Sequence, residues 1–440
     1  MDSRSSRPLP PWAWPVLLVT FLHLLTTSGA WWITDHGEIL LAADHFVATG
    51  RLDLNDLGPQ WADWTQIVKA RDNASTRFQP LSILLLTPFL VLDRIFGWGD
   101  PASFRFVHLQ GHVFVTLGLV LAGRGLARLT GSAPITALSI LLLGLNWPVW
   151  MIARRLGPEP VLFALLAAFA TGGARSRFSC QLLLPWVHAS GPLLGLGALL
   201  ALAVEQRSVT SRAVRGAALG WVSGLASVAF LWNLPVHGHL VLGGYGDYAS
   251  DPFFTLRNPL LGLVAVLGPV VAWTLPLWYL AVRTGPGGRL QTLALWFPMA
   301  AFLAAFSNPE PERRLAPLLA AWTIAVMIRA APTKLAQPSS IPLTSGRALA
   351  LSALSLASGV IGLSSDFVDT VTTPLGVFSG PVLMFVRLAF VQAEPGLAAA
   401  SVLLLGSAIV YAGSRTLALI LHPPPAQLGE TGSVAQNPGS

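Results

Sequence analysis

Apolar residues recur in blocks from Trp12 to Tyr411, many near the roughly 20 residues a helix needs to cross the hydrocarbon. Threading helices through these blocks predicts spans near 12–33, 104–124, 133–151, 159–174, 214–234, 258–282, 290–306, 314–331 and 347–363. The stretch 179–204 carries arginine at both ends and predicts a helical hairpin turning near His188. The region 374–413, with Arg387 inside its apolar run, adds one or two more, for about 11–13 spans in all. The block 80–97 spoils the parity of the loops if it crosses, so it is read as a re-entrant or interfacial helix. Hydrocarbon cannot satisfy open backbone groups, so every span is helical. Alternating strand segments of an outer-membrane barrel are absent, and no internal repeat stands out. The expected fold is an all-α, polytopic transmembrane bundle with a long first outer loop, 34–103, that contains juxtamembrane helices.

Composition agrees with this pattern. Only 11% of residues are charged and 53% are hydrophobic, with a mean hydropathy of +0.62; a soluble domain carries about 25% charged residues. The first apolar run is long and lacks a small-residue cleavage motif, so it reads as a span rather than a removed signal peptide. All but two of the 27 basic residues are arginine, Lys69 and Lys334 being the exceptions, a bias expected of a high-GC bacterial genome. The single cysteine, Cys180, excludes an intramolecular disulfide and reads as a packing residue.

The net charge of +7 does not point to nucleic acid, because the basic residues are scattered between apolar runs. They act instead as orientation signals, since inner loops retain Lys and Arg. Arg4 and Arg7 place the N-terminus inside. Arg124/Arg128, Arg175/Arg177, Arg207/Arg212/Arg215, Arg283/Arg289, Arg329/Lys334/Arg347 and Arg415 mark the same side, almost without acids apart from Glu205. Asp35 to Asp100, Glu159, Asp247/Asp251, Glu310/Glu312 and Asp366/Asp369 mark the other. The expected organisation is a cytoplasmic tail 1–11, a transmembrane catalytic module 12–331, further helices 347–420 and a Pro/Gly-rich disordered tail 421–440. The expected location is the inner membrane, multi-pass, with the working surface extracytoplasmic.

Polar residues cluster where outer loops meet span ends. Trp31-Trp32-Ile33-Thr34-Asp35-His36-Gly37-Glu38 follows the first span, and a short amphipathic helix then ends at Gly50. Asp35 and Glu38 are three apart and share a helix face. Partial desolvation at the membrane boundary raises a carboxylate's affinity for a proton, which suits a general base. A helix-capping pair is the structural alternative. Arg154-Arg155-Leu156-Gly157-Pro158-Glu159-Pro160 ends a later span, and paired guanidiniums suit a phosphate. Here the alternatives are Arg–Glu pairing, or Glu159 capping the next helix. Ser307-Asn308-Pro309-Glu310-Pro311-Glu312-Arg313-Arg314 again strands two arginines on the disfavoured side, which points to an anionic ligand or to interfacial anchors. His188 sits at the hairpin tip, where a structural hydrogen bond is the ordinary role. His237 and His239 with Asp247 and Asp251 form a weak metal pattern. Asn73-Ala74-Ser75 is an accidental sequon, and no P-loop, HExxH or GxSxG triad occurs.

The order and sidedness of these motifs resemble the C-type glycosyltransferase superfamily, above all the bacterial relatives of protein O-mannosyltransferases and of lipid A aminoarabinose transferase. The resemblance covers roughly 30–330. Asp35-His36-Gly37-Glu38 matches the acidic motif of the family's first outer loop. Phe78-Gln79-Pro80 through Ile95-Phe96-Gly97 matches its Pro-led apolar stretch, and Arg105 opens the next span. Arg124 to Gly131, Arg154 to Pro160 and Arg313/Arg314 to Pro317 match its inner turn and two outer motifs. Two departures stand out: relatives often have adjacent Asp-Glu where His36 and Gly37 intervene here, and often Lys where this chain has His188.

The resemblance implies an inverting, mannosyltransferase-like transfer from a polyprenyl-phosphate sugar to a lipid, glycan or protein acceptor at the bilayer surface. It implies Asp35 as general base with Glu38 assisting, Glu159 orienting the acceptor or an arginine, and Arg154, Arg155, Arg313, Arg314 and His188 holding phosphate. No cofactor is assigned, and a divalent metal stays open. Two rivals are weighed. A transporter or flippase places polar groups at mid-span, where this chain is nearly free of charge. A polysaccharide polymerase or ligase is expected to carry a large central outer loop, whereas here the largest is the first.

Overall fold

A backbone that must satisfy its own polar groups in hydrocarbon has little choice but the helix, and most of the described residues take it. The structure, a computed structural model, describes residues 9–26, 34–54, 67–70, 73–76, 78–97, 106–206, 211–238, 240, 271–305, 311–331, 344–365 and 395–421. The helices are α1 (Ala13–Leu25), α2 (Thr34–Thr49), α3 (Pro80–Ile95), α4 (Leu109–Thr130), α5 (Ala133–Gly144), α6 (Trp147–Ala153), α7 (Glu159–Thr171), α8 (Ala174–Val187), α9 (Gly191–Gln206) and α10 (Arg212–Val228). A π-helix, Ala229–His237, continues α10. Then come α11 (Leu275–Arg283), α12 (Gly285–Ala305), α13 (Pro311–Leu315), α14 (Leu318–Ala330), α15 (Ser345–Ser365) and α16 (Pro395–Leu421). Among the described residues the only strands are Ile67–Ala70 and Asn73–Thr76, an antiparallel pair that takes in the Asn73-Ala74-Ser75 sequon.

The chain is a membrane helix bundle. Phe106–Thr130, with 25 residues, and Arg212–His237, with 26, are long and apolar enough to cross; Ala133–Gly144 and Trp147–Ala153 make a third if the bent pair is one span. Other expected crossings appear as shorter apolar helices, among them α1, α7 and α14. The hairpin expected at 179–204 is formed by α8 and α9, turning at His188 to Ser190. The block 80–97 forms the 16-residue α3. The amphipathic helix expected to end at Gly50 does so: Gly50 has φ 72° and its N–H donates to the Phe46 carbonyl at 2.7 Å. Parts of the expected 12–33, 258–282 and 374–413 spans lie outside the described residues, as do His239, Asp247 and Asp251.

One side chain manages the 70° bend between α5 and α6. The Asn146 amide donates to the Leu142 and Leu143 carbonyls at 2.8 and 2.6 Å, and its oxygen accepts the Val149 N–H at 3.2 Å. It thus serves orphan groups of two helix ends that lipid would leave unmet. Close crossings elsewhere rest on glycine: a Cβ on Gly220 would overlap the Phe178 carbonyl of α8, and one on Gly118 would overlap the Phe163 ring. Small residues permit such backbone contact where lipid offers no hydrophobic drive between helices. The core centres on Trp322, fully buried, with the rings of Trp278 and Trp296 at 4.8 and 5.2 Å.

A second, smaller core lies in the segment between α1 and α4. Ile39, Leu40 and Ala43 of α2 pack with Ile83, Leu86 and Leu90 of α3 and with Leu156. At the basic end, arginines serve helix C-termini: Arg128 donates to the Thr171 carbonyl at 2.6 Å and Arg177 to the Phe169 carbonyl at 3.2 Å. Cations are favoured there by the helix dipole.

The glycine crossings predict a selective response. Gly220→Val overpacks α8 against α10 and lowers stability by about 1–3 kcal/mol, whereas Gly216→Ala, whose Cβ meets only an ordinary contact with the Ala174 carbonyl at 3.7 Å, shifts it by less than about 0.5 kcal/mol. Thermal unfolding in detergent distinguishes the two; equal melting temperatures would refute the packing account.

Candidate functional site

Glu159 opens α7, and its local sequence explains its freedom. Pro158 holds the N-cap position without a side-chain hydrogen bond and Pro160 follows inside the first turn. Gly157 has φ 154°, and a Cβ there would lie 2.7 Å from Glu159 Oε2. Glycine therefore clears space for the carboxylate. Instead of serving as the N-cap, Glu159 Oε1 lies 2.6 Å from Arg314 Nη1 and 3.3 Å from Arg313 Nε. Side-chain exposure is 5% for Glu159, 6% for Arg313 and 12% for Arg314, so two guanidiniums and one carboxylate share a nearly dry site. The Arg–Glu pairing weighed from the sequence is thus realised, but with the arginines of the later motif, 155 residues away in the chain.

His188 joins this group. Its Nε2 lies 3.4 Å from Arg314 Nη1, its Nδ1 lies 2.8 Å from the Ser190 hydroxyl, and its ring stands 6.1 Å from that of Phe78. The hairpin tip, α7, α13 and the start of α3 therefore meet at one end of the bundle. Arg154, also buried, is placed differently: its Nε donates to the Thr26 carbonyl at the end of α1, where Trp150 Nε1 also donates to the Thr26 hydroxyl at 2.6 Å. Arg155 is half-buried in the same loop. Glu38 is buried at 3% exposure on α2, next to Ile39, whose cluster includes Leu156. Asp35 lies on the first turn of α2, and its side chain lies outside the described residues. Among the described residues, no three His, Cys, Asp or Glu side chains converge as metal ligands.

Two positioning residues escaped the sequence reading. Gln110, buried on α4, clamps Gly157 with both halves of its amide: Nε2 donates to the Gly157 carbonyl at 3.1 Å and Oε1 accepts the Gly157 N–H at 3.2 Å. Beside it, a Cβ on Gly111 would overlap the Arg155 and Ala153 carbonyls. The Gln110-Gly111 pair thus presses α4 onto the loop that carries Glu159. A polar residue followed by glycine inside an apolar span was the available signal. Asp93 does similar work in the outer loop, its two oxygens accepting the Phe106 and Val107 N–H groups at 2.8 and 3.2 Å.

Solved structures with this arrangement of helices are those of ArnT from Cupriavidus metallidurans, one bound to undecaprenyl phosphate and one in the apo state. The chain shares the ArnT fold. The TM-score is 0.52 for both, with 16% and 17% identity, over 93% of this chain and 76% of that chain. The resemblance drawn from the motifs is met by these neighbours. No protein family and no curated protein sequence matches the chain.

A buried carboxylate holding two arginines predicts strong coupling. Removing Glu159 alone takes from both buried guanidiniums the carboxylate they share and costs about 3–5 kcal/mol. Glu159→Gln and Arg314→Gln are therefore expected to be non-additive by about 0.5–3 kcal/mol in a double-mutant cycle read by chemical unfolding; strict additivity would show that the pair is not coupled.

Proposed function

We propose that the chain is an inner-membrane glycosyltransferase that moves a sugar from a polyprenyl-phosphate donor to an acceptor at the extracytoplasmic face. The observation that carries this reading is the Arg313–Glu159–Arg314 group, two guanidiniums nearly dry at one site, in the fold of a protein solved with undecaprenyl phosphate. A phosphodiester entering it would meet both guanidiniums. Guanidiniums are suited to that task because they bind phosphate oxygens bidentately and stay charged.

The chemistry then follows from what each residue offers. In the proposed step the acceptor hydroxyl attacks the anomeric carbon from the face opposite the phosphate. Asp35 takes the hydroxyl proton, with Glu38 assisting. The new C–O bond forms as the bond to phosphate breaks, and the electron pair stays on the phosphate oxygen, inverting the anomeric centre. Arg313, Arg314 and His188, with Arg154 and Arg155 from the adjoining loop, stabilise the departing phosphate. Glu159 orients the arginines rather than the acceptor. Placement of the acidic helix supports this division, because Ile39, one residue beyond Glu38, packs in the same cluster as Leu156, three residues before Glu159.

The test is transfer from a panel of radiolabelled polyprenyl-phosphate sugars. Asp35→Asn is expected to lower transfer by about 10²–10⁴-fold with donor binding retained, and Arg314→Ala to weaken donor binding. Full activity of Asp35→Asn would sink the mechanism, and failure of folded wild-type protein to bind any such donor would sink the function.

Sidedness is tested separately. A cysteine replacing the exposed Arg51 beyond α2 is expected to react with a membrane-impermeant maleimide in intact spheroplasts, against little background because the native Cys180 is buried. Labelling only after lysis would place the site on the inner face.

A further inference from the structure

A second polar group, uncharged, adjoins the arginines. Gln79 precedes α3, and its backbone is fixed by the Ser82 hydroxyl, which donates to the Gln79 carbonyl at 2.8 Å. Its side chain is 2% exposed and donates from Nε2 to Asn233 Oδ1 at 3.3 Å, while Asn233 Nδ2 donates to the Leu240 carbonyl at 3.4 Å. That leaves Gln79 Oε1 buried with no partner among the described residues. Turning both amides over only makes Gln79 Nε2 the spare atom and loses the bond to Leu240, so the surplus does not depend on how the amides are assigned. Trp232 Nε1 is also buried without a partner among the described residues, and the Trp232 ring stands edge-on to His237 at 6.2 Å.

These groups sit where the helix changes form. Trp232 and Asn233 lie on the π-helix Ala229–His237, and π-bulges occur frequently at functional sites. Phe78, the neighbour of Gln79, touches His188, which touches Arg314. The uncharged group thus begins one residue from the contact shell of the arginines. A buried acceptor and a buried donor left open cost free energy unless something completes them. A carboxamide, an indole and an aromatic face without net charge match a sugar, whose hydroxyls both donate and accept and whose ring stacks on aromatic faces.

We propose that Gln79, Trp232 and Asn233 form the subsite for the sugar ring of the donor, recognising an uncharged, hydroxyl-bearing sugar whose phosphate is held by Arg313 and Arg314. This rests on the donor reading above. Gln79 Oε1 accepts from one sugar hydroxyl, Trp232 Nε1 donates to another, and Asn233 keeps Gln79 in register.

The experiment uses the full chain in phospholipid nanodiscs. It compares undecaprenyl-phosphate mannose, glucose and galactose with undecaprenyl methyl phosphate, a diester of equal charge that lacks the sugar. Wild type is expected to bind at least one sugar diester roughly tenfold tighter than the methyl diester. Gln79→Met, which removes the acceptor at similar length, and Trp232→Phe, which removes the donor and keeps an aromatic ring, are expected to bring that ratio toward one with methyl-diester affinity unchanged. Arg314→Ala is expected to weaken both ligands together. A ratio preserved in both the Gln79 and Trp232 variants, a ratio of one in wild type, or equal loss of both ligands in those variants would overturn the subsite. If wild type binds no diester at all, the donor reading itself fails and the subsite with it.

Discussion

Two guanidiniums cannot leave water at 6% and 12% exposure without a carboxylate to hold them, and the architecture at this end of the bundle follows from that constraint. Glu159 must reach both arginines, so it cannot also cap α7, and the residues before it must leave its side chain room. Gly157 provides the room, and Gln110 fixes Gly157 from a different helix. The result is a carboxylate whose position is set by α4 and whose partners come from α13. Two guanidiniums thereby meet at one carboxylate.

The small core of α2 and α3 extends this arrangement outward. Leu156 belongs to that core although it follows α6 in the chain. Apolar contact thereby binds the acidic helix to the arginine-bearing loop. Thr26 closes the ring from the other side, taking hydrogen bonds from both Trp150 and Arg154.

Much of this was legible in the sequence, for a physical reason. Arg313 and Arg314 fall, by the charge pattern, on the side expected to exclude positive charge, and such residues mark themselves. Glu159 and His188 could be nominated because each interrupts apolar sequence at a predicted span end. What could not be read was which of them meet. The spacing of Arg154 and Arg155 suggested that they pair with nearby Glu159, yet Arg154 turns to Thr26 and the pairing falls to Arg313 and Arg314. Helix crossing decides that, and crossing angles leave no local trace. Gln79, Gln110 and Asn233 were invisible for a related reason: a single amide in an apolar run has no pattern until its partner on another helix is known. The π-helix was likewise hidden, since Pro235 signals only that the α-helical ladder must break.

The bend at Asn146 makes the site sensitive to register. Helix α6 has only seven residues between that bend and Arg154. Each residue of a helix turns the chain by about 100°, so the bend and the loop are phased against each other by the length of one short segment. An insertion or deletion within α6 would swing Arg154 away from Thr26 and rotate the loop that presents Glu159, even with every side chain of the cluster intact. Substitutions in α6 that respect its volume can be absorbed by repacking, but changes in its length cannot. This segment is therefore the ruler of the site: homologues that keep the cluster are expected to vary its composition far more readily than its count.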